Sequence, residues 1–117
     1  MARGEVSGTV VFRPPPRSLA GATIYLRLED TTLADVPARV VSRAALAAVP
    51  ETAASTGVAF RLPCEEVDPL VRYTVRVHVD LDGDGRVSPG DYLSTASYPV
   101  LTSGHPTILT IEVHPVL

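Results

Sequence analysis

The chain has 117 residues, the length of one domain (residues 1–117), and its 45% hydrophobic and 20% charged content is that of an ordinary soluble globular protein. Ten Lys+Arg against thirteen Asp+Glu leave a net charge of −3, which argues against nonspecific nucleic-acid binding, since that needs a basic surface. The single cysteine, Cys64, excludes an intrachain disulfide, and no apolar run approaches the roughly 18 residues that span a bilayer.

The opening Met1-Ala2-Arg3-Gly4-Glu5 reads as neither an apolar export signal nor a lipid-anchor site. Val6 to Phe12 alternates at period two and predicts a strand with Val6, Val10 and Phe12 on one face. Pro14-Pro15-Pro16 ends its ladder, because proline has no N–H to give. Residues 22–30 predict a second strand, with Ile24, Leu26 and Leu28 inward and Tyr25, Arg27 and Glu29 outward. After a loop over 31–37, residues 38–46 mix Val40 and Val41 with helix-favouring alanines and are read as a strand. Residues 49–54 form a connector, and 55–63 alternate with Val58, Phe60 and Leu62 inward. Residues 64–69 read as a turn. Residues 70–80 are the longest strand, with Tyr73, Val75, Val77 and Val79 inward against an outer Arg72, Thr74, Arg76 and His78. A short strand over 92–98, a turn over 100–106 and a final strand over 107–113 complete the chain, the last with Leu109, Ile111 and Val113 inward. Eleven prolines and eight glycines leave little room for long helices. The expected fold is all-β, a single-domain antiparallel β-sandwich of about seven strands, with roughly twenty large apolar side chains for its core.

One segment carries chemistry. Residues 80–91 read Asp-Leu-Asp-Gly-Asp-Gly-Arg-Val-Ser-Pro-Gly-Asp. Carboxylates stand at the first, third, fifth and twelfth places, as Asp80, Asp82, Asp84 and Asp91. Gly85 falls at the sixth, where a sharp turn is needed; Arg86 at the seventh can offer its carbonyl; Ser88 at the ninth can bind directly or through water. That is the spacing of an EF-hand Ca2+ loop, closest to the dockerin type with Asp at the twelfth place. Calcium takes about six to eight oxygen ligands, and four carboxylates in so short a loop repel one another without a cation. A plain Asp-Gly hairpin turn is the competing reading, but it does not account for Asp80, Ser88 and Asp91 at matching places. The strand-like flanks make the loop a static staple instead of a sensor, and Val87 is expected to turn toward the core. Static extracellular calcium modules bind at roughly 10⁻⁴–10⁻³ M, so such a site points outside the cytoplasm.

The other candidates are weaker. His78, His105 and His114 have no spacing that forces a zinc site. No Gly-x-Ser-x-Gly elbow or Cys-His motif indicates an enzyme, and Gly83-Asp84-Gly85 lacks the lysine of a phosphate loop. Cys64 reads as a small hydrophobe. Arg72, Arg76 and His78 form a mild basic stripe, read as a solvated face paired with acids of a neighbouring strand in preference to an anion site.

Several stretches together resemble the YbaY/YscW family of bacterial lipoproteins and type III secretion pilotins. They are Val6-Ser7-Gly8-Thr9-Val10, Leu28-Glu29-Asp30-Thr31, Ala34-Asp35-Val36-Pro37-Ala38, Phe60-Arg61-Leu62-Pro63, Val67-Asp68-Pro69, Tyr73-Thr74-Val75-Arg76 and Tyr98-Pro99-Val100-Leu101-Thr102. The resemblance covers nearly the whole chain and lies in the order and spacing of the blocks. It implies a β-sandwich, an extracytoplasmic and usually lipid-anchored setting, and no enzyme activity; pilotins help outer-membrane secretins assemble by binding part of them. The lipidated N-terminal cysteine of the family is absent from this sequence, so a cell-envelope location is expected if a leader has been trimmed. The Asp80–Asp91 loop is not a general feature of the family.

The expectation is therefore a non-catalytic, calcium-binding β-domain with a protein partner in the envelope or a secretion apparatus. A calcium-dependent carbohydrate or surface-adhesion module is the alternative; it requires exposed aromatic rings near the metal, for which Tyr92 and Tyr98 are the candidates.

Overall fold

A computed structural model describes residues 2–33 and 35–117. Among these, eight strands are joined by loops and one short helix: β1 (Ala2–Phe12), β2 (Thr23–Asp30), β3 (Arg39–Leu46), α1 (Ala53–Thr56), β4 (Val58–Val67), β5 (Tyr73–Asp80), β6 (Tyr92–Ser94), β7 (Pro99–Val100) and β8 (Ile108–Pro115). No helix among the described residues is long and apolar enough to cross a membrane.

The strands form one sheet in the order β3-β2-β5-β6-β8-β1-β4, with β7 paired to β5. Its two outer strands, β3 and β4, approach each other, so the sheet is rolled nearly into a barrel and does not split into two layers. This corrects the expected sandwich. Alternation of apolar and polar residues identifies a half-buried strand in either architecture, and only the pairing order separates them. The sheet is also not wholly antiparallel. β1 and β8 run parallel, from Ser7 against Ile108 to Phe12 against Val113, while β1 and β4 are antiparallel.

The inward faces follow the period-two reading. Val6, Val10 and Phe12 of β1, Ile24, Leu26 and Leu28 of β2, and Ile111 and Val113 of β8 are buried. From β5, Tyr73, Val75, Val77 and Val79 join them, and Phe12 meets Tyr92 edge to face with ring centres 5.5 Å apart. Other expectations shift. β4 continues through Cys64 to Val67 where a turn was expected, because Pro63 and Cys64 pair with Glu5 and Gly4 of β1 and, beyond a bulge, Val67 pairs with Ala2. Cys64 is buried, and that burial, with a smaller push from Glu65, raises its thiol pKa. The expected strand over 92–98 ends at Ser94 as β6, and a separate β7 follows at Pro99–Val100, where the expected turn begins; the two pair with opposite ends of β5. The connector after Val49 contains α1, whose Ala53 packs into the core.

Gly8 shows what the β1–β8 pairing demands. A Cβ there would lie 1.7 Å from the carbonyl oxygen of Leu109 and 2.8 Å from its carbonyl carbon. Backbone cannot yield as a flexible side chain can. Gly8→Ala is therefore expected to destabilise the fold by about 1–3 kcal/mol or more, read as a lower urea midpoint. An unchanged midpoint would show that β1 and β8 do not approach as closely as this.

Candidate functional site

β5 and β6 form a hairpin in which His78 opposes Leu93 and Val79 opposes Tyr92. Continuing that register places Asp80 and Asp91 opposite each other at the base of the connecting loop. Both are 1% exposed. Two buried carboxylates face to face repel strongly, and the loop answers with N–H groups. Asp80 accepts Gly83 N–H on Oδ1 at 3.0 Å and Gly85 N–H on Oδ2 at 2.8 Å. Asp91 accepts Leu81 N–H on Oδ1 at 3.0 Å, and on Oδ2 it accepts Ser88 N–H at 3.2 Å and His78 Nε2 at 2.9 Å. The imidazole must donate in the last pair, since a carboxylate only accepts.

Asp82 and Asp84 are exposed and lie on the outside of the loop. Ser88 donates its hydroxyl to Asp82 Oδ2 at 2.7 Å and lies 3.4 Å from Asp91 Oδ2, so it links the outer and buried acids. Arg86 enters through its backbone N–H, which bonds Asp84 Oδ1 at 2.9 Å. The sharp turn expected at Gly85 is present, with φ of 75°, a conformation other residues adopt only with strain. Taken together, Asp80, Asp82, Asp84 and Asp91 each present an oxygen within 4.8 Å of the others. The Ser88 hydroxyl, followed by Asp80, holds the Asp82 carboxyl down to about 2. Burial alone would raise Asp91, but the bonds from His78, Leu81 and Ser88 outweigh it and hold its pKa below the ordinary value.

Val87 corrects one expectation: it is 53% exposed and does not plug the core. It lines, with Gly85, one wall of a groove of about 580 Å³ over the outer face of β3, β2, β5 and β6. Tyr25 and His78 stack in that groove with ring centres 5.8 Å apart. Behind them the register sets Arg27 directly between Arg43 of β3 and Arg76 of β5. Glu29, expected to face solvent, is on the outer face as read but only 6% exposed. Its carboxylate takes Arg27 Nε at 3.5 Å and Arg76 Nε at 3.3 Å, and the two guanidinium groups cover it.

Arg76 and His78 were read as a solvated stripe in preference to an anion site, and Arg27 and Arg43 escaped the sequence reading as parts of a site. The signal for His78 was the hairpin register, which makes it a diagonal neighbour of Asp91. His105 and His114 do not join it in any metal-ligating group among the described residues. Ser88, Asp91 and His78 do meet, but the imidazole bonds the Asp91 carboxylate and the hydroxyl is given to Asp82, so the two do not form a nucleophile–base pair. The tyrosines proposed as sugar platforms are engaged elsewhere. Tyr92 is buried with its hydroxyl on Pro14 O, and Tyr98 is half-buried with its hydroxyl accepting Glu112 N–H at 2.9 Å.

The model of the type III secretion system lipoprotein chaperone family, YscW, matches residues 1–113. The chain belongs to the YscW family. No curated protein sequence matches it. Among solved structures, an alternative pilotin from the type II secretion system of Vibrio cholerae superposes with a TM-score of 0.80 at 20% identity, covering 98% of each chain. At that identity the likeness is one of fold: the rolled sheet of this YscW-family chain is also the fold of a pilotin.

The buried and exposed acids should behave differently when removed. Asp91→Ala strands three donors and is expected to lower stability by roughly 2–4 kcal/mol in the presence of chelator, measured by urea unfolding. Asp84→Ala should stay within about 0.5 kcal/mol of the parent under the same conditions.

Proposed function

We propose that this YscW-family chain is a non-catalytic binding module of the cell envelope that assists assembly of a secretion component, with the Asp80–Asp91 loop as its calcium staple. The observation that carries the first half is the family match over residues 1–113, to a family described as lipoprotein chaperones of a secretion system, joined to a pilotin fold along the whole chain. Pilotins act on secretins, so the partner class proposed is a secretin or a protein assembled with one. The location proposed is the outer-membrane side of the envelope.

The calcium half rests on the loop alone. Four carboxylate oxygens converge within 4.8 Å, and each carboxylate oxygen that already accepts an N–H keeps lone-pair capacity for a hard cation. Asp80, Asp82, Asp84 and Asp91, with the Arg86 carbonyl and the Ser88 hydroxyl, would supply the oxygen shell that Ca2+ takes. A divalent ion there removes the mutual repulsion of the acids. It fastens the β5–β6 hairpin without moving it, because strands already paired in a sheet have no helix pair to open.

Two measurements test the two halves separately. Calcium at about a hundred times its dissociation constant adds roughly 2.7 kcal/mol, so the thermal midpoint should rise by on the order of 10 °C over the chelated protein. Asp82→Ala combined with Asp84→Ala should abolish that rise, and equal midpoints for the parent with calcium and with chelator end the calcium reading. For the binding half, the chain used as bait on solubilised envelopes should retain a secretin or a secretin-associated protein. Recovery of none ends that half whatever calcium does.

A further inference from the structure

The groove beside the acidic loop has a charge pattern that folding alone disfavours. Arg43, Arg27 and Arg76 lie side by side on three adjacent strands, and like charges directly opposite each other in a sheet are destabilising. Glu29 offsets Arg27 and Arg76, but no carboxylate among the described residues pairs with Arg43. Three guanidinium groups against one carboxylate leave an excess of two positive charges in a chain whose net charge is −3. The charge sits in a concavity of about 580 Å³, within the size range of sites that enclose a ligand group, beside the half-exposed Tyr25 ring and the exposed Val87.

We propose that this groove docks an acidic segment of a partner protein, with Arg43, Arg27 and Arg76 clamping its carboxylates and Tyr25 and Val87 seating an adjacent apolar side chain. The proposal rests on the binding-module reading above and names the surface and the chemistry of that binding. Guanidinium groups suit the task because their planar fork pairs with a carboxylate through two parallel hydrogen bonds. Glu29 holds two of the three heads in place beforehand, so less side-chain freedom is lost on binding. A protein segment fits better than an anionic membrane. The arginines line a groove, which a protruding chain segment can enter and a flat bilayer surface cannot.

The test is NMR titration of the ¹⁵N-labelled full chain with a short synthetic peptide of Glu and Leu, and with its Gln-for-Glu and Lys-for-Glu counterparts. The expected result is saturable movement of the Arg27, Arg43 and Arg76 side-chain Nε–H signals and of β2 and β5 amides with the Glu peptide only. Arg43→Glu should weaken that binding by about tenfold or more without lowering the thermal midpoint, since Arg43 is exposed, pairs with no carboxylate among the described residues, and gives way to a residue of opposite charge facing Arg27. Equal response to the Gln peptide, movement confined to other faces, no response to the Glu peptide, or undiminished binding by Arg43→Glu overturns the proposal. So does Arg43-dependent binding to phosphatidylglycerol vesicles that exceeds binding to the peptide. Failure here is separable from failure of the binding-module reading: if the parent and Arg43→Glu retain the same secretin-class protein from envelopes equally, the groove assignment falls and the module reading stands.

Discussion

The register between β2 and β5 governs most of what this molecule presents to its surroundings. The two strands pair without interruption from Thr23 against Asp80 to Asp30 against Tyr73. A slip of one residue would exchange Ile24, Leu26 and Leu28 for Tyr25, Arg27 and Glu29 on the core side. Each of those apolar side chains contributes roughly 1.5–3 kcal/mol by burial, whereas an unfavourable cross-strand pair costs about 0.2–1 kcal/mol. The inner face therefore decides the register, and the outer face inherits it. Arginine is set against arginine because leucine and valine behind them require it, and Glu29 moderates the result.

The same logic runs on into the hairpin. β5 ends on Asp80 and β6 begins one residue after Asp91, so the antiparallel turn brings the two acids together. The chain then needs donors aimed at both carboxylates, and the glycines at 83 and 85 let the backbone bend back to supply them. The loop is ordered by its own N–H groups, with His78 joining it to the stacked ring of Tyr25 in the groove.

Much of this was legible in the residues. Period two located the core face of β1, β2, β5 and β8, and the spacing of acids located the one loop where four carboxylates converge. The rest depended on long-range pairing, which local pattern does not encode. Nothing in residues 6–12 says that their neighbour will be the parallel β8, and nothing in Cys64 to Val67 distinguishes a turn from a strand that continues because β1 is there to pair with it. Val87 was expected inside because helix-flanked loops of this spacing have a core beneath the eighth place; between strands the loop projects past the sheet, and the side chain turns to the groove instead. Arg43 looked unremarkable alone, and it gained meaning only when β3 was placed beside β2.

The strands also give the molecule a direction. β1 starts beside Val67 and Leu101 and ends near Tyr92, next to the acidic loop, and the last residues of the chain return to that same end, where Val116 bonds Asp91. Eleven extended residues at about 3.3 Å each separate the two poles by more than 30 Å. The first residues of β1 and the hairpin tip with its aspartates therefore face away from each other, and a partner gripping one end leaves the other free to meet something else.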